Sequence, residues 1–330
     1  MRRIVTSSLI TLAALVLISS RAAAADDGGR AGAFFQVPIG ARPTAMGGAY
    51  LAVSNDGAGP LYNVAGLTSV KRTMFASSYR LMQLDRKLTY VTLVVPTRGS
   101  SVLGGQWLYA GSGSVERRNY DGDLLGGSLE MHNHALSILF AKRFEESFSA
   151  GIKLSYLHSV FAEMSAYTVG VDLGVMLYAD YLFGRERKET LPVKDLQIGL
   201  TLKNLDASYL WNNEDYVFKY VDGNTIGAEQ EDKVPVEFGV GLSGRFLQRK
   251  LLVATDLYKN SKQAATLHAG AEYFVKPEFA LRGGYSDGRF TAGTGYVFQI
   301  GKQVLAIDYA FSTDKADEGS EHIFSFDLLF

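Results

Sequence analysis

Three groups of residues have the types and spacing that chemistry uses. His132-Asn133-His134 puts two imidazoles on one face of an extended segment, as a metal pair would require, although surface histidines are the plainer account in a chain with five His. Gly239-Val240-Gly241-Leu242-Ser243-Gly244 fits the G-x-G-x-x-G pattern of a dinucleotide turn. That reading needs strand, turn and helix in succession, whereas this run sits inside an alternating segment with no helix after it. Glycines facing an interior explain it better. A hydrolytic serine would need a histidine within reach, but His134 and Ser137 have opposite strand parity and point to different faces. The third group is a row of charges that strand parity puts on one face: Asp172, Lys203, Glu237, Glu272, Arg282, Asp308 and Asp327. Either they wet a water-filled interior, or some of the carboxylates pair with Arg42, the only basic residue between Arg30 and Lys71. Paired charges tolerate partial burial far better than isolated ones. The chain has no cysteine, which excludes a disulfide scaffold, a thiolate metal site, a cysteine nucleophile and a lipoprotein anchor. No catalytic residue, metal site or cofactor is expected.

The elements that position these residues are strands. From about Arg72 onward the apolar residues recur with period 2. Val169, Val171, Leu173 and Val175 alternate with Gly170, Asp172 and Gly174; Val234, Val236, Phe238, Val240 and Leu242 alternate with Glu237, Gly239 and Gly241. One face is apolar; the other is glycine, small polar or charged. Turn signals such as Thr97-Arg98-Gly99-Ser100, Asp121-Gly122-Asp123, Lys259-Asn260-Ser261 and Ser286-Asp287-Gly288 separate the runs. About fourteen strands are predicted, near 72–80, 88–97, 101–112, 130–142, 147–159, 166–180, 193–205, 234–245, 250–259, 265–275, 278–286, 289–299, 302–312 and 321–330.

Composition and the first residues narrow the class. The chain has 330 residues, with 33 Lys+Arg against 34 Asp+Glu. A nucleic-acid binder would show a basic excess or stripe, so no nucleic-acid partner is expected. The 35 glycines exceed the usual ~7 % without a Gly-X-Y period. Met1-Arg2-Arg3, the apolar stretch Leu9 to Ser20 and the alanines at 22–25 have the pattern of a cleaved secretory signal over 1–25. The apolar run is shorter than the ~20 residues of a transmembrane helix.

Two all-β architectures compete. A soluble sandwich or propeller keeps apolar residues inside, whereas a membrane barrel turns them outward to lipid and its polar face to a lumen. Many runs reach the ~9–11 residues of a tilted membrane strand. Aromatics gather toward run ends, where interfacial girdles sit: Trp107 and Tyr109, Phe140 and Phe144, Tyr178 and Tyr181, Tyr296 and Phe298, Tyr309 and Phe311. The alternating run His322 to Phe330 ends in an aromatic and resembles the sorting signal of bacterial outer-membrane proteins. Unpaired backbone groups in hydrocarbon are costly, so a membrane sheet must close on itself. Both termini on the periplasmic side require an even strand count. Short periplasmic connections are then expected at 97–100, 143–146, 181–192, 246–249, 276–277 and 300–301, and the long outer loops at 113–129 and 206–233. The second carries Tyr209, Trp211, Tyr216, Phe218 and Tyr220, as a solvated loop over the mouth or as a surface that captures apolar ligands.

Gly32 to Thr68 breaks the alternation. It is rich in Gly and Ala with few charges, too apolar for a free tail, and the lumen is the burial site a barrel offers. Met46-Gly47-Gly48-Ala49 would let backbone pass close to strands. Gly40-Ala41-Arg42, Ala45-Met46-Gly47-Gly48-Ala49, Asn55-Asp56 and Tyr62-Asn63-Val64-Ala65-Gly66-Leu67 together resemble the N-terminal signature of FadL-type outer-membrane barrels, above all the PorV/PorQ branch. Where that family has Asn-Pro-Ala, this chain has Asn63-Val64-Ala65, losing a fixed φ and gaining a donor. The resemblance implies a fourteen-stranded barrel with an N-terminal hatch in the lumen. For the fatty-acid transporters it implies passive uptake of hydrophobic molecules released sideways through a gap in the wall; for the PorV/PorQ branch, a role in type IX protein secretion.

The resulting expectation is an all-β, closed antiparallel transmembrane β-barrel, monomeric in the bacterial outer membrane, and not an enzyme. Residues 1–25 are the signal, 26–71 the hatch and 72–330 the barrel. Arg42, Met46, Gly47, Gly48, Asn63 and Gly66 are expected at the hatch or channel, and Asp172, Glu237, Glu272, Arg282, Asp308 and Asp327 facing the lumen. Passive uptake or binding of fatty-acid-like hydrophobic molecules is the first expectation, and a secretion component the alternative. Outer-membrane lipid, hydrophobic ligands and secretion-system proteins are the partners these readings imply.

Overall fold

Alternation of apolar and small polar residues makes each strand two-faced, and in the computed structural model fourteen such strands close into a single barrel. Residues 31–83, 85–119, 121–182, 193–213, 229–286, 288–313 and 319–330 are described. The signal over 1–25, Asp287, and Tyr216, Phe218 and Tyr220 of the second long loop lie outside them. In chain order the barrel strands are β1 (Met74–Leu81), β2 (Lys87–Pro96), β3 (Ser101–Gly111), β6 (Met131–Phe144), β7 (Phe148–Phe161), β8 (Met164–Tyr178), β9 (Lys194–Leu205), β12 (Glu237–Phe246), β13 (Leu251–Asn260), β14 (Thr266–Lys276), β15 (Phe279–Ser286), β16 (Arg289–Ile300), β17 (Gln303–Thr313) and β18 (Ser320–Leu329). Each pairs antiparallel with its neighbours, and β1 closes on β18 from Met74↔Leu329 to Leu81↔His322. No helix among the described residues is long and apolar enough to cross a membrane.

Two short hairpins, absent from the strand expectations, fill the long connections. β4 (Val115–Arg118) pairs with β5 (Leu124–Leu129), and β10 (Ser208–Asn212) with β11 (Glu229–Lys233). Strands of four to six residues, three of them without a buried position and β10 with Tyr209 alone buried, carry too little apolar alternation to read. Both rise from the rim opposite the β1 and β18 ends that meet at Met74 and Leu329, here the far rim.

The barrel is inverted relative to a soluble protein. Leu136 is 55 % and Ile138 66 % exposed on the outer face, while the inner positions of the same strand, Asn133, Ala135, Ser137, Leu139 and Ala141, are buried. A continuous exposed apolar surface of this kind marks a face that meets a membrane or another protein. Of the expected girdle residues, Tyr178 is corrected. Its parity on β8 matches Gly174 and Met176, so it turns inward, where its hydroxyl meets Thr68 Oγ1 at 3.2 Å and Ser149 Oγ at 3.3 Å.

Residues 31–73 lie inside the closed sheet as a chain of short turns: a 3₁₀ turn at Ala33–Gln36, helical turns at Ala41–Ala45 and Gly59–Tyr62, and a 3₁₀ helix at Val64–Ser69. The first helical turn packs on β15 to β18, and Val64–Ser69 on β3, β6, β7 and β8. Contact is close because inward strand positions are glycine where the segment's backbone passes. A Cβ on Gly270 would lie 2.3 Å from the Met46 carbonyl oxygen, and one on Gly284 2.2 Å from Gly47 N. On Gly199 it would meet the Leu51 carbonyl oxygen at 2.4 Å, and on Gly174 Asn63 Oδ1 at 2.3 Å. Gly241, in the run that mimics a dinucleotide turn, faces Leu51 in the same way.

Candidate functional site

Arg42 stands at the centre of the residues singled out by type. Its Nε and Nη2 donate to the two Glu272 oxygens at 2.7 and 2.8 Å, and Nη1 donates to Tyr50 Oη, Asn55 Oδ1 and Asp56 Oδ2 at 2.8, 2.8 and 3.2 Å. Glu272 is fully buried and also accepts from Arg282 Nε at 2.7 Å, while Arg282 Nη1 donates to Asp308 Oδ1 at 2.5 Å. A bidentate guanidinium–carboxylate pair is among the strongest contacts a buried site can hold. Burial alone would lower the Arg42 pKa, but Glu272, Tyr50 and Asp56 outweigh it and hold the guanidinium well above its usual value. Burial pushes the Tyr50 phenol up, and it donates a short hydrogen bond to Asp56.

The other sequence-derived residues fall around the same segment. Asp327 Oδ2 accepts from Gly57 N at 3.1 Å. Asp172 pairs with Lys153 at 2.5 Å, and Glu237 with Lys203 at 3.2 Å, on the far-rim side. Met46, Gly47 and Gly48 form the turn against β14 to β16, where Gly47 N donates to Thr291 Oγ1 at 3.1 Å and His268 Nδ1 donates to the Gly47 carbonyl at 2.7 Å. Positive φ at Gly47 and Gly48, 64° and 79°, is what that turn needs. Asn63 Oδ1 accepts from Ala65 N at 3.1 Å and Nδ2 donates to the carbonyls of Leu51 and Val175 at 3.1 and 3.0 Å, tying segment to wall. Gly66 passes so near Ser54 that a Cβ would lie 2.4 Å from its carbonyl oxygen. His132 and His134 turn to the outer face, and Ser137 inward, where it bonds Ser155 at 2.9 Å.

Two features escaped the sequence reading. Asp256 Oδ2 accepts from Tyr50 N at 2.5 Å and Leu51 N at 2.8 Å; its inward parity with Leu252 and Ala254 was the available signal. The second is a cavity of about 540 Å³ between the segment and the far-rim half of the barrel. Its lining combines apolar Phe35, Val37, Ile39, Leu61, Leu157 and Val234 with polar Lys153, Asp172, Lys203, Glu237, His268 and Arg289. This lining exists only once distant strands meet. Tyr209 of β10 is buried in the apolar cluster beside it, with Trp211 packed against that cluster.

Closed sheet, inward charges and occupied interior define an antiparallel barrel with its N-terminal segment packed inside. No family model and no curated protein matches the sequence. Among solved structures the chain is similar to the toluene transporter TodX of Pseudomonas putida (TM-score 0.56, 11 % identity, covering 87 % of this chain and 95 % of that one). It is also similar to a FadL homologue of Pseudomonas aeruginosa (TM-score 0.58, 12 % identity, covering 89 % and 98 %). At that identity the likeness is one of fold. β3 pairs without a register break against β2, Val102↔Pro96 to Gly111↔Lys87, and against β6, Ser101↔Lys142 to Gly111↔His132, whereas the β8–β9, β9–β12 and β14–β15 ladders carry register shifts at Val171/Leu173, Ser243/Arg245 and Phe274/Lys276.

Proposed function

We propose that this chain is an integral outer-membrane barrel through which hydrophobic small molecules enter passively. Residues 26–71 are its hatch, both chain ends lie on the periplasmic side and the far rim faces outward. The observation that carries this reading is the half-apolar cavity of about 540 Å³ on the far-rim side of a segment bolted into the barrel by Arg42. The neighbour named as a toluene transporter, and in a mutant form as a monoaromatic hydrocarbon channel, supports it. The secretion-component alternative rests on the N-terminal motif alone.

The cavity suits an amphiphile with an acidic head, such as a fatty acid. Lys153 and Lys203 are already neutralised by carboxylates, whereas Arg289 lines the same space with no ion pair or side-chain hydrogen bond among the described residues. Titrating the purified protein with a fluorescent fatty acid tests this. Saturable binding is expected, weakened roughly tenfold by Arg289→Gln, the scale of one charge-assisted hydrogen bond, with the methyl ester of the same acid unaffected by the substitution. Absence of saturable binding by acid, ester and toluene alike would remove the transport reading.

A further inference from the structure

The outer face of β2, β3, β6, β7 and β8 holds a groove of about 700 Å³ that the lumen does not explain. Gly105 is its floor: it faces outward from β3 with open space where a Cβ would stand, its nearest contact 3.8 Å away. Leu93, Trp107, Leu136, Ile138 and Leu154 form the sides. A dent of this shape in an exposed apolar surface accepts a hydrocarbon chain.

Along the same strands toward the far rim, the outward positions become aromatic and polar, with Val160 the aliphatic exception beside His132. Tyr109, His134, His158 and Tyr167 are register partners across β3, β6, β7 and β8, and Lys87, Gly111 and His132 form part of the next row. The hydrogen bonds settle the imidazole protons. Trp107 Nε1–H can only donate, and it meets His134 Nδ1 at 3.3 Å, so the neutral ring carries its proton on Nε2. That N–H has no partner among the described residues. His132 is arranged likewise, with Tyr109 Oη at 2.9 Å from Nδ1 and Glu130 at 3.2 Å from Nε2. His158 stacks on His134 at 6.4 Å. Of the nearby carboxylates, Glu130 is engaged by His132 and Ser128, and Glu163 by Arg117. Lys87 is exposed, with no ion pair among the described residues.

We propose that this face binds a phosphate-bearing membrane lipid, with one acyl chain in the groove over Gly105 and the phosphate on His134, His158 and Lys87. An N–H turned toward a bilayer is costly without an acceptor, and a phosphate offers several beside a lysine cation. The inference rests on the outer face meeting lipid, as the proposed function requires, but not on what the lumen carries.

Trp107 sits in the groove and is one of two tryptophans, so the full chain carrying Trp211→Phe reports on the site by fluorescence. Reconstituted in phosphatidylcholine vesicles, Trp107 should be quenched by phosphatidic acid with brominated chains with a relative affinity about tenfold above brominated phosphatidylcholine, the scale of one charge-assisted bond. His134→Phe with His158→Phe should bring that ratio to about one. Lys87→Met, which disturbs no ring contact, should lower it severalfold and serves if the double variant does not insert. Gly105→Leu should reduce quenching by both lipids. Equal quenching by the two lipids, or a ratio unchanged by both the histidine and lysine variants, overturns the proposal while leaving the membrane reading intact. Loss of the preference on adding inorganic phosphate would make this a plain anion site and overturns the lipid assignment. Absence of quenching by either lipid would mean that the face is covered, as by a second copy, or is not in a bilayer; vesicle flotation separates these, and both overturn the proposal.

Discussion

If Arg42 bolts the hatch, replacing it with methionine should release the segment from the wall. The guanidinium makes five hydrogen bonds, two of them to Glu272, which is wholly buried. Truncating one partner of a buried pair typically costs about 3–5 kcal/mol, mostly because the other charge is left behind. The lower end applies, since Glu272 keeps Arg282 and the Arg42 side chain is 13 % exposed. Taking about 3 kcal/mol, the displaced state should rise by a factor of roughly 150 in population. Planar-bilayer recording reads this as more frequent or larger openings, and Arg42→Glu should exceed Arg42→Met because it adds repulsion. Glu272→Met in the Arg42→Met background should add less than its cost alone, because the two residues act as one pair and Arg282 keeps Asp308. Conductance identical to the unaltered protein in both single variants would refute the bolt, and with it the role given to this cluster.

Three further outcomes are expected. Gly284→Ala should destabilise the packed segment, since its Cβ would press on Gly47 N at 2.2 Å, whereas Gly283→Ala next to it meets nothing nearer than 3.9 Å and should be neutral; protease sensitivity of residues 31–73 compares them. Val64→Pro, restoring the Asn-Pro-Ala of the resembling family, should leave thermal stability equal or raised. Asn63 is already extended, with φ −149° and ψ 106°, close to the range a following proline favours, and the site opens a 3₁₀ helix. Ile138→Lys on the outer face should cost about 2–4 kcal/mol if that position lies near the bilayer midplane, measurable by urea unfolding in vesicles, while a change below ~0.5 kcal/mol would argue that no lipid is there.

Strand periodicity is a local property, and that is why so much of the wall was legible from residues alone. The fourteen expected strands fall within about three residues of those observed, because each run repeats its own two-faced pattern. Parity put Glu272, Arg282, Asp308 and Asp327 on the inner face for the same reason. The same parity puts Tyr178 with Gly174 and Met176; the girdle reading missed this because an aromatic near a strand end fits an interfacial pattern on either side. Nor could parity find the two hairpins, whose four short strands bury a single residue, Tyr209.

What the sequence by itself determined is the alternation, the turns, the charge-poor N-terminal segment and a lone arginine within it. Partners were decided only in three dimensions. Arg42 and Glu272 are separated by 230 positions, and Met46 meets Gly270 across a similar span. Glycine on an inner face reads as small and permissive in a string of letters; its use here, admitting another stretch of backbone within van der Waals reach, exists only once the barrel has closed around that segment. The cavity and the outer groove have the same origin, because each is a space bounded by side chains of strands that no local pattern brings together.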